Sequence, residues 1–194
     1  MVGKGILISA ASLLICSCNV KAFDGDIKIR KSSDINIREI EIGKALSLDQ
    51  IKSMTTFEGE FEKLSDVECG GFFTEEEIGE SGEEAIYRYD NMMIDITGDQ
   101  GAIMQIIGIP NGVHAKYNDL LIDNNFNPNS LSIKRFEIHK NEATFSDRTV
   151  GIDSTGTKTV YDIMYSIREK TSDDLLYVYF LDNKLVAVKA LVQC

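Results

Sequence analysis

The feature that most constrains the fold is a series of three strand-like segments within residues 85–109. Apolar side chains dominate residues 85–90, 92–96 and 102–107, and turn-forming Asp, Asn and Gly residues separate the three segments. Short apolar runs bounded by such turns are typical of neighbouring antiparallel strands. The sequence therefore predicts an antiparallel meander in this region.

Other segments predict both helices and strands around the meander. A short helix is expected after Ser47, because Gln50 lies three residues on as a capping-box partner. A second helix is expected over residues 160–169, where apolar side chains recur at helical spacing. Further strands are expected at 57–73, 132–139 and 143–152, with a closing hairpin at 175–181 and 185–192, and at most one short helix near 119–123.

This order of elements predicts an α+β fold, an antiparallel sheet with short helices packed on one face. No long strand–helix–strand crossover is seen, which argues against a parallel doubly wound sheet. We expect an extended leader at residues 23–39 and one α+β domain at 40–194. Residues 40–109 and 132–194 are candidate sub-repeats, which would make the domain a tandem of two helix-plus-sheet units.

Residues 1–22 have the composition of a signal peptide. A basic start precedes an apolar stretch at 5–15, which is too short to span a bilayer. Small side chains near Ala22 predict cleavage after that residue. Alternatively, the segment ending at Cys18 resembles a lipobox, with Cys18 as the lipidated residue. Both alternatives predict an exported protein, either periplasmic or anchored to a membrane as a lipoprotein.

Export would place the later cysteines in an oxidising compartment. Cleavage after Ala22 leaves Cys69 and Cys194, an even pair. A disulfide between them would close a loop of about 125 residues and stabilise the fold by several kcal/mol. The alternative is a catalytic thiol, although neither cysteine has a histidine near it in sequence.

The charge balance restricts the class of partner. The chain has a formal net charge of −11, with 31 acidic and 20 basic side chains. Such a field repels nucleic acid and anionic lipid, and it attracts a basic protein. We therefore expect a protein partner that is basic, no nucleic acid, and membrane contact only through a lipid at Cys18. The alternative is that the charge serves solubility alone.

The sequence contains no recognisable catalytic or metal-binding motif. Its two histidines, His114 and His139, lack metal-ligand spacing to one another or to the cysteines. There is no Gly-x-Ser-x-Gly nucleophile motif, phosphate-binding loop or dinucleotide fingerprint. We therefore expect no enzyme activity, no cofactor and no metal.

Binding residues are better candidates than catalytic ones. Tyrosines two apart in a strand share one face, and tyrosine offers rigid apolar area with a polar tip, which interfaces favour. A run of glutamates in a loop could meet a cationic partner. Alternatively, the rings cover the core and the glutamates are merely solvated. The candidate binding residues are Tyr87, Tyr89, Tyr177, Tyr179, Glu75, Glu76 and Glu77.

The two halves of the chain share a layout that resembles known families. Gly43 and Gly151 each precede an expected helix, and each half then has a Tyr-x-Tyr strand followed by an aliphatic strand. This layout resembles the small lipoprotein of the outer-membrane β-barrel assembly machinery and the β-lactamase-inhibitor-protein family. The resemblance implies a protein that binds other proteins, with the concave face of its sheet as the docking surface.

Together these observations predict an exported, non-enzymatic protein-binding module. Its expected subtype is an inhibitor or immunity protein directed against a basic toxin or hydrolase. Two alternatives stay open at this point: an envelope-assembly or scaffold lipoprotein, and a periplasmic hydrolase whose catalytic residues follow no known motif.

Overall fold

β-Strands dominate the computed structural model, which describes residues 38–67, 71–79, 82–144, 148–152 and 156–191. These residues belong to one compact unit, Asp34–Cys194. In chain order the elements are β1 (Arg38–Glu41), β2 (Ala45–Ser47), α1 (Leu48–Ser53), β3 (Glu62–Asp66), α2 (Glu75–Ile78), β4 (Glu84–Tyr89), β5 (Met92–Thr97), β6 (Gln100–Ile107), β7 (Val113–Tyr117), β8 (Leu120–Ile122), a 3-10 turn (Pro128–Ser130), β9 (Phe136–Glu142), β10 (Thr149–Ile152), β11 (Lys158–Val160), β12 (Ile163–Glu169), β13 (Leu175–Leu181) and β14 (Lys184–Leu191).

Nine strands form one large antiparallel sheet. Its order is β3-β4-β5-β6-β14-β13-β12-β9, and β2 also pairs with β6. Two meanders, β4-β5-β6 and β12-β13-β14, are joined where β6 pairs with β14; this junction is called the seam, and Ile106 lies opposite Val188 there. The predicted meander and the predicted closing hairpin are both confirmed.

Tight turns that contain Asp and Asn connect β4 to β5 and β13 to β14. Asp90 has a φ of 57°, and Asp182 and Asn183 have φ values of 51° and 62°. Asp and Asn tolerate this left-handed backbone better than other non-glycine residues. Such turns match the right-handed twist of the strands, so they help to fix the pairing register.

Alternation along the strands gives the sheet two unlike faces. Ile106, Val188 and Val178 lie side by side on neighbouring strands, and none has exposed surface. This side is called the core face. The residues next to these in each strand, such as Gln105 and Lys189, point to the opposite side, which is called the ribbon face.

The core face is covered by α1 and by a small three-stranded sheet. Ile51 of α1 is fully buried, and a Cβ added at Gly101 would lie 3.0 Å from its Cδ1 atom, so the glycine lets α1 approach β6 closely. The small sheet has the order β1-β7-β8, with β1 parallel to β7. It contributes Ala115 and Ile122 to the same hydrophobic core. The hydrophobic core therefore lies between the main sheet and these two elements.

The start of α1 follows the sequence prediction. The Ser47 hydroxyl accepts a hydrogen bond from the Gln50 backbone N–H at 3.2 Å. The Gln50 side chain in turn accepts one from the Ser47 backbone N–H at 2.9 Å. These two bonds satisfy donors that no helical carbonyl can reach, and they confirm the predicted capping box.

A two-stranded ribbon, β10-β11, docks on the ribbon face. The buried Gln105 amide donates to the Val150 carbonyl at 3.0 Å. A Cβ added at Gly151 would lie only 2.6 Å from Ile107 Cδ1. Because glycine has no Cβ, Gly151 lets the ribbon approach β6 closely, and it lies within strand β10 rather than before a helix.

The predicted α+β fold class is wrong. Within the described residues the helices are two short segments of six and four residues, and β-strands form most of the rest. The protein is a mostly β structure with several antiparallel sheets, so the expected layer of helices on one face is replaced by a second, smaller sheet. The tandem of two helix-plus-sheet units therefore does not describe this fold.

The helix expected at residues 160–169 is strand β12. Ile163 and Ile167 are four residues apart, a spacing that fits both a helix and one face of a strand. Ile163, Tyr165 and Ile167 alternate onto the core, and β12 pairs with β13 on one side and β9 on the other. Two neighbouring strands and β-branched side chains favour the extended form over weak helical periodicity.

Smaller boundary predictions also need correction. The helix expected near 119–123 is strand β8, which forms a hairpin with β7. The strand region expected at 57–73 contains only β3 in its described part, the strand expected at 132–139 begins at Phe136, and the strand expected at 143–152 is limited to β10. The expected leader overlaps β1, which begins at Arg38; residues 1–37, including Cys18 and the expected signal peptide, lie outside the described residues.

Candidate functional site

The two tyrosines of β4 lie on the core face. Tyr89 is 2% exposed, and its ring lies 5.1 Å from that of Phe57 and 4.6 Å from that of Phe61, measured between centroids. Its hydroxyl donates to the Phe57 carbonyl at 2.8 Å. Tyr87 is half-buried against the same core. Tyr89 is thus part of the core, the alternative interpretation of the pair, and offers almost no surface to a partner.

The tyrosines of β13 lie on the ribbon face. The rings of Tyr177 and Tyr179 are 6.4 Å apart, and Tyr161 stacks edge-on against Tyr179 at 5.0 Å. Tyr177 is half-buried, whereas Tyr179 is 9% exposed. The two predicted tyrosine pairs therefore lie on opposite faces and do not form one surface.

The predicted glutamates form the short helix α2, and all three are exposed. The Thr74 backbone N–H and hydroxyl both donate to the Glu77 carboxylate at 2.9 Å. These bonds hold the pKa of Glu77 below its usual range, because they favour its charged form. Glu77 therefore fixes the start of α2, while Glu75 and Glu76 remain available to a partner.

Negative charge is concentrated in one segment of the chain. Residues 58–84 contain eleven acidic side chains and one basic side chain, a net charge of −10, whereas the whole chain carries −11. In the fold this segment supplies the outermost strand β3, helix α2 and the start of β4. Its exposed carboxylates are here called the acidic edge: Glu58, Glu60, Glu62, Asp66, Glu75, Glu76, Glu77 and Glu83.

Few cations neutralise the acidic edge. Lys63 forms an ion pair with Asp66 at 2.6 Å, and Arg88 of β4 pairs with Glu62 at 2.6 Å. Among the described residues, the other six carboxylates of the edge have no ion pair within 4 Å. Two ion pairs leave most of the eight carboxylates without a neutralising cation, and exposed pairs of this kind are themselves weak. Negative charge is therefore the dominant property of this surface.

Two buried carboxylates anchor the segment that leads into α2. Glu84 accepts hydrogen bonds from the backbone N–H groups of Phe72 and Phe73 at 2.8 and 3.2 Å, and Asp95 also accepts one from Phe72 at 3.2 Å. Burial, reinforced by the nearby Glu84, raises the pKa of Asp95 to about 6. A Cβ added at Gly71 would collide with the Glu84 carboxylate, which shows how closely the segment packs.

The pairing of Glu84 with Asp95 was not predicted from the sequence. Asp95 lies between Ile94 and Ile96 in an apolar strand, and an acid at such a position is itself unusual. The pairing register places Asp95 opposite Ile86, two residues along β4 from Glu84. The isolated acid was therefore visible in the sequence, but its partner depended on the register.

The cysteines and histidines are the remaining residues that could carry chemistry. Cys69 and Cys194 lie outside them, so the disulfide stays a prediction. His114 lies 3.8 Å from Asp123, and His139 is exposed on β9. Across the described ranges no three His, Cys, Asp or Glu side chains come together to hold a metal, and neither helix could cross a membrane.

A cleft of about 320 Å³ lies between the 124–129 loop and strands β12 and β13. Asparagines and aromatic residues make up most of its lining, and no charged residue of the described ranges contributes to it. None of the residues that line this cleft was among the candidates predicted from the sequence. The signal was the cluster itself, four asparagines within residues 124–129.

No family model, curated protein or solved structure matches this chain.

Proposed function

We propose that this protein is a non-enzymatic binding module that recruits a basic protein partner through the acidic edge. The observation that carries the proposal is the segregation of charge, because the described part of residues 58–84 has nine acidic side chains and one basic side chain at one border of the main sheet. A field of one sign on one surface steers a partner of opposite sign and orients it as it arrives.

The backbone beneath the acidic edge supports this role. Hydrogen bonds from Phe72 and Phe73 to Glu84 hold the approach to α2, and the Thr74 capping box holds its first turn. Carboxylates presented from an anchored backbone lose less conformational entropy on binding than carboxylates on a mobile loop. The surface is therefore largely preorganised for a cationic partner.

Strand β3 adds a second means of contact. All five of its residues are exposed, and within the described sheet it pairs only with β4. Its outer edge has backbone groups that an added strand from a partner can pair with, while the flanking carboxylates select against acidic strands. This arrangement suits the inhibitor or immunity subtype, in which a rigid acidic surface covers the cationic cleft of a toxin or hydrolase. Export to the periplasm or to a membrane surface is part of the same proposal.

The test neutralises three carboxylates of the acidic edge and three elsewhere. The edge variant is Glu75→Gln, Glu76→Gln and Glu83→Gln, with Glu77 kept because it caps α2. The matched control is Asp99→Asn, Glu142→Gln and Asp173→Asn, which changes the net charge equally at exposed positions outside the edge. Binding to a ten-lysine peptide and to a panel of basic secreted hydrolases is measured by calorimetry at low and moderate salt.

We expect the edge variant to bind the peptide and any hydrolase ligand about tenfold more weakly at low salt, with a change of less than about twofold for the control. The difference should shrink as salt is added, because exposed charges are screened. Equal weakening by both variants would show that net charge alone is at work. That result, or unchanged binding by the edge variant, would contradict the proposal.

A further inference from the structure

The uncharged cleft beside β12 and β13 is a second candidate site, distant in sequence from the acidic edge. Its floor includes the rings of Tyr165 and Phe180, which contact each other edge-on at 5.7 Å between centroids. Its rim carries Asn125, Asn129 and the turn residue Asn183. Its volume of about 320 Å³ is at the lower end of the range for small-molecule sites.

The lining of the cleft specifies the chemistry of its ligand. Charged residues make up 26% of the chain, yet none of those that the structure describes lines this cleft. An asparagine amide both donates and accepts hydrogen bonds, so a cluster of amides suits a ligand whose polar groups also do both. Phe180 is only 8% exposed, so the half-buried rings of Tyr165 and Phe126 provide most of the apolar surface for the less polar face of the same ligand. A neutral molecule with several hydroxyl groups and one C–H face meets both requirements.

The loop that forms the rim is held in place by its own hydrogen bonds. The Asn124 amide donates to the Ile109 carbonyl at 3.1 Å and to the Asn111 side chain at 3.0 Å. The Asn127 side chain accepts from the Asn129 backbone N–H at 3.0 Å and caps the 3-10 turn. These two asparagines build the loop, and the exposed residues Asn125 and Asn129 line the cleft on this preorganised backbone.

We propose that this cleft binds a neutral oligosaccharide, with one sugar ring packed on the aromatic floor and its hydroxyls hydrogen-bonded to the asparagine amides. An anionic sugar is disfavoured because the cleft lining offers no cation to pair with it. The cleft is shallow and open, so we expect weak affinity, about millimolar to tens of micromolar for a trisaccharide.

The test uses the full chain, ¹⁵N-labelled, and three neutral trisaccharides: maltotriose, cellotriose and tri-N-acetylchitotriose. A trimer of galacturonic acid serves as the charged comparison. At least one neutral trisaccharide should shift the amide resonances of residues 124–129 and 183, and the uronic acid trimer should not. If no neutral trisaccharide perturbs these resonances at a ligand concentration of about 10 mM, the proposal is overturned.

Variants then assign any binding to the cleft. The double variant Asn125→Ala, Asn129→Ala should raise the dissociation constant about tenfold, because it removes two hydrogen bonds to the ligand. Asn141→Ala, an exposed asparagine on β9 outside the cleft, is the matched control and should bind as the parent does. Asn183→Gly removes a third amide while keeping the positive φ of 62° at that turn, so it tests the site without disturbing the fold.

Two further outcomes would count against the proposal. Binding that survives both Asn125→Ala with Asn129→Ala and Asn183→Gly would place the sugar elsewhere. Binding of a neutral hexapeptide at these same resonances, without binding of any trisaccharide, would show that the amides recognise a peptide backbone instead.

Discussion

Replacing Tyr89 with alanine is expected to lower the free energy of unfolding by about 3–5 kcal/mol, the loss typical of a large aromatic ring removed from a core. Tyr89 is 2% exposed, and its ring contacts Phe57 and Phe61. Because domains of this kind are stable by about 5–15 kcal/mol, the variant should be close to unfolding at 37 °C. Urea denaturation followed by circular dichroism measures the change.

Two companion variants separate the parts of this effect. Tyr89→Phe keeps the ring and removes only the hydrogen bond to the Phe57 carbonyl, so it should cost about 1 kcal/mol. Tyr177→Ala, a half-buried tyrosine on the ribbon face, should also cost about 1 kcal/mol. A Tyr89→Ala protein as stable as Tyr177→Ala would mean that Tyr89 does not belong to the core, and the binding role first considered for it would return.

Replacing Asp95 with asparagine is expected to stabilise the protein at neutral pH, by as much as about 3 kcal/mol. Asp95 is buried, and its pKa is raised from 3.8 to about 6, mainly by loss of hydration and then by Glu84. Asparagine removes the cost of ionising this group, and its carbonyl oxygen can still accept the hydrogen bond from Phe72.

The pH dependence of this gain follows from proton counting. Below pH 3.8 the Asp95 carboxyl is protonated in both the folded and the unfolded chain, so the substitution gains little. Between 3.8 and about 6 the folded chain keeps a proton that the unfolded chain has released, and its stability therefore falls as the pH rises. Above about 6 both states are ionised, and the full advantage of asparagine is present.

Urea denaturation of the parent and the Asp95→Asn variant at about pH 3.5, 5 and 7.5 measures this gain. The difference between the two proteins should grow across the series. Asp99→Asn, an exposed residue in the neighbouring turn, is the control and should show no such growth. A constant difference at all three pH values, or a less stable Asp95→Asn protein at the highest, would contradict the argument.

Local signals in the sequence were sufficient for several elements. The Ser47–Gln50 capping box predicts the start of α1, and the turns at Asp90 and Asp182 predict two hairpins. In each case the energy that selects the structure comes from residues close together in the chain. No long-range contact has to be known in advance.

Long-range pairing explains what the sequence alone did not reveal. Residues 163–169 become a strand because β9 and β13 pair with them on both sides, and neither neighbour is marked in the segment itself. The glutamates of the acidic edge occur as separate runs in the sequence. They come to one border of the main sheet only because β3 pairs with β4, beside α2. The cleft likewise requires Asn183 to lie near the 124–129 loop, and more than fifty residues separate them.

The seam between the two meanders has a consequence for how the chain folds. Each meander consists of strands adjacent in sequence, so each closes only short loops as it forms. The seam joins Gln105 to Lys189, positions that are 84 residues apart, and it is the main junction between the two halves of the sheet. Contacts between residues so far apart in sequence slow folding. We therefore expect the pairing of the two preformed meanders along the seam to limit the rate of refolding. Until they meet, residues 105–107 of β6 and the facing edge of β14 have no partner strand, and the partly folded chain is most prone to aggregate at that stage.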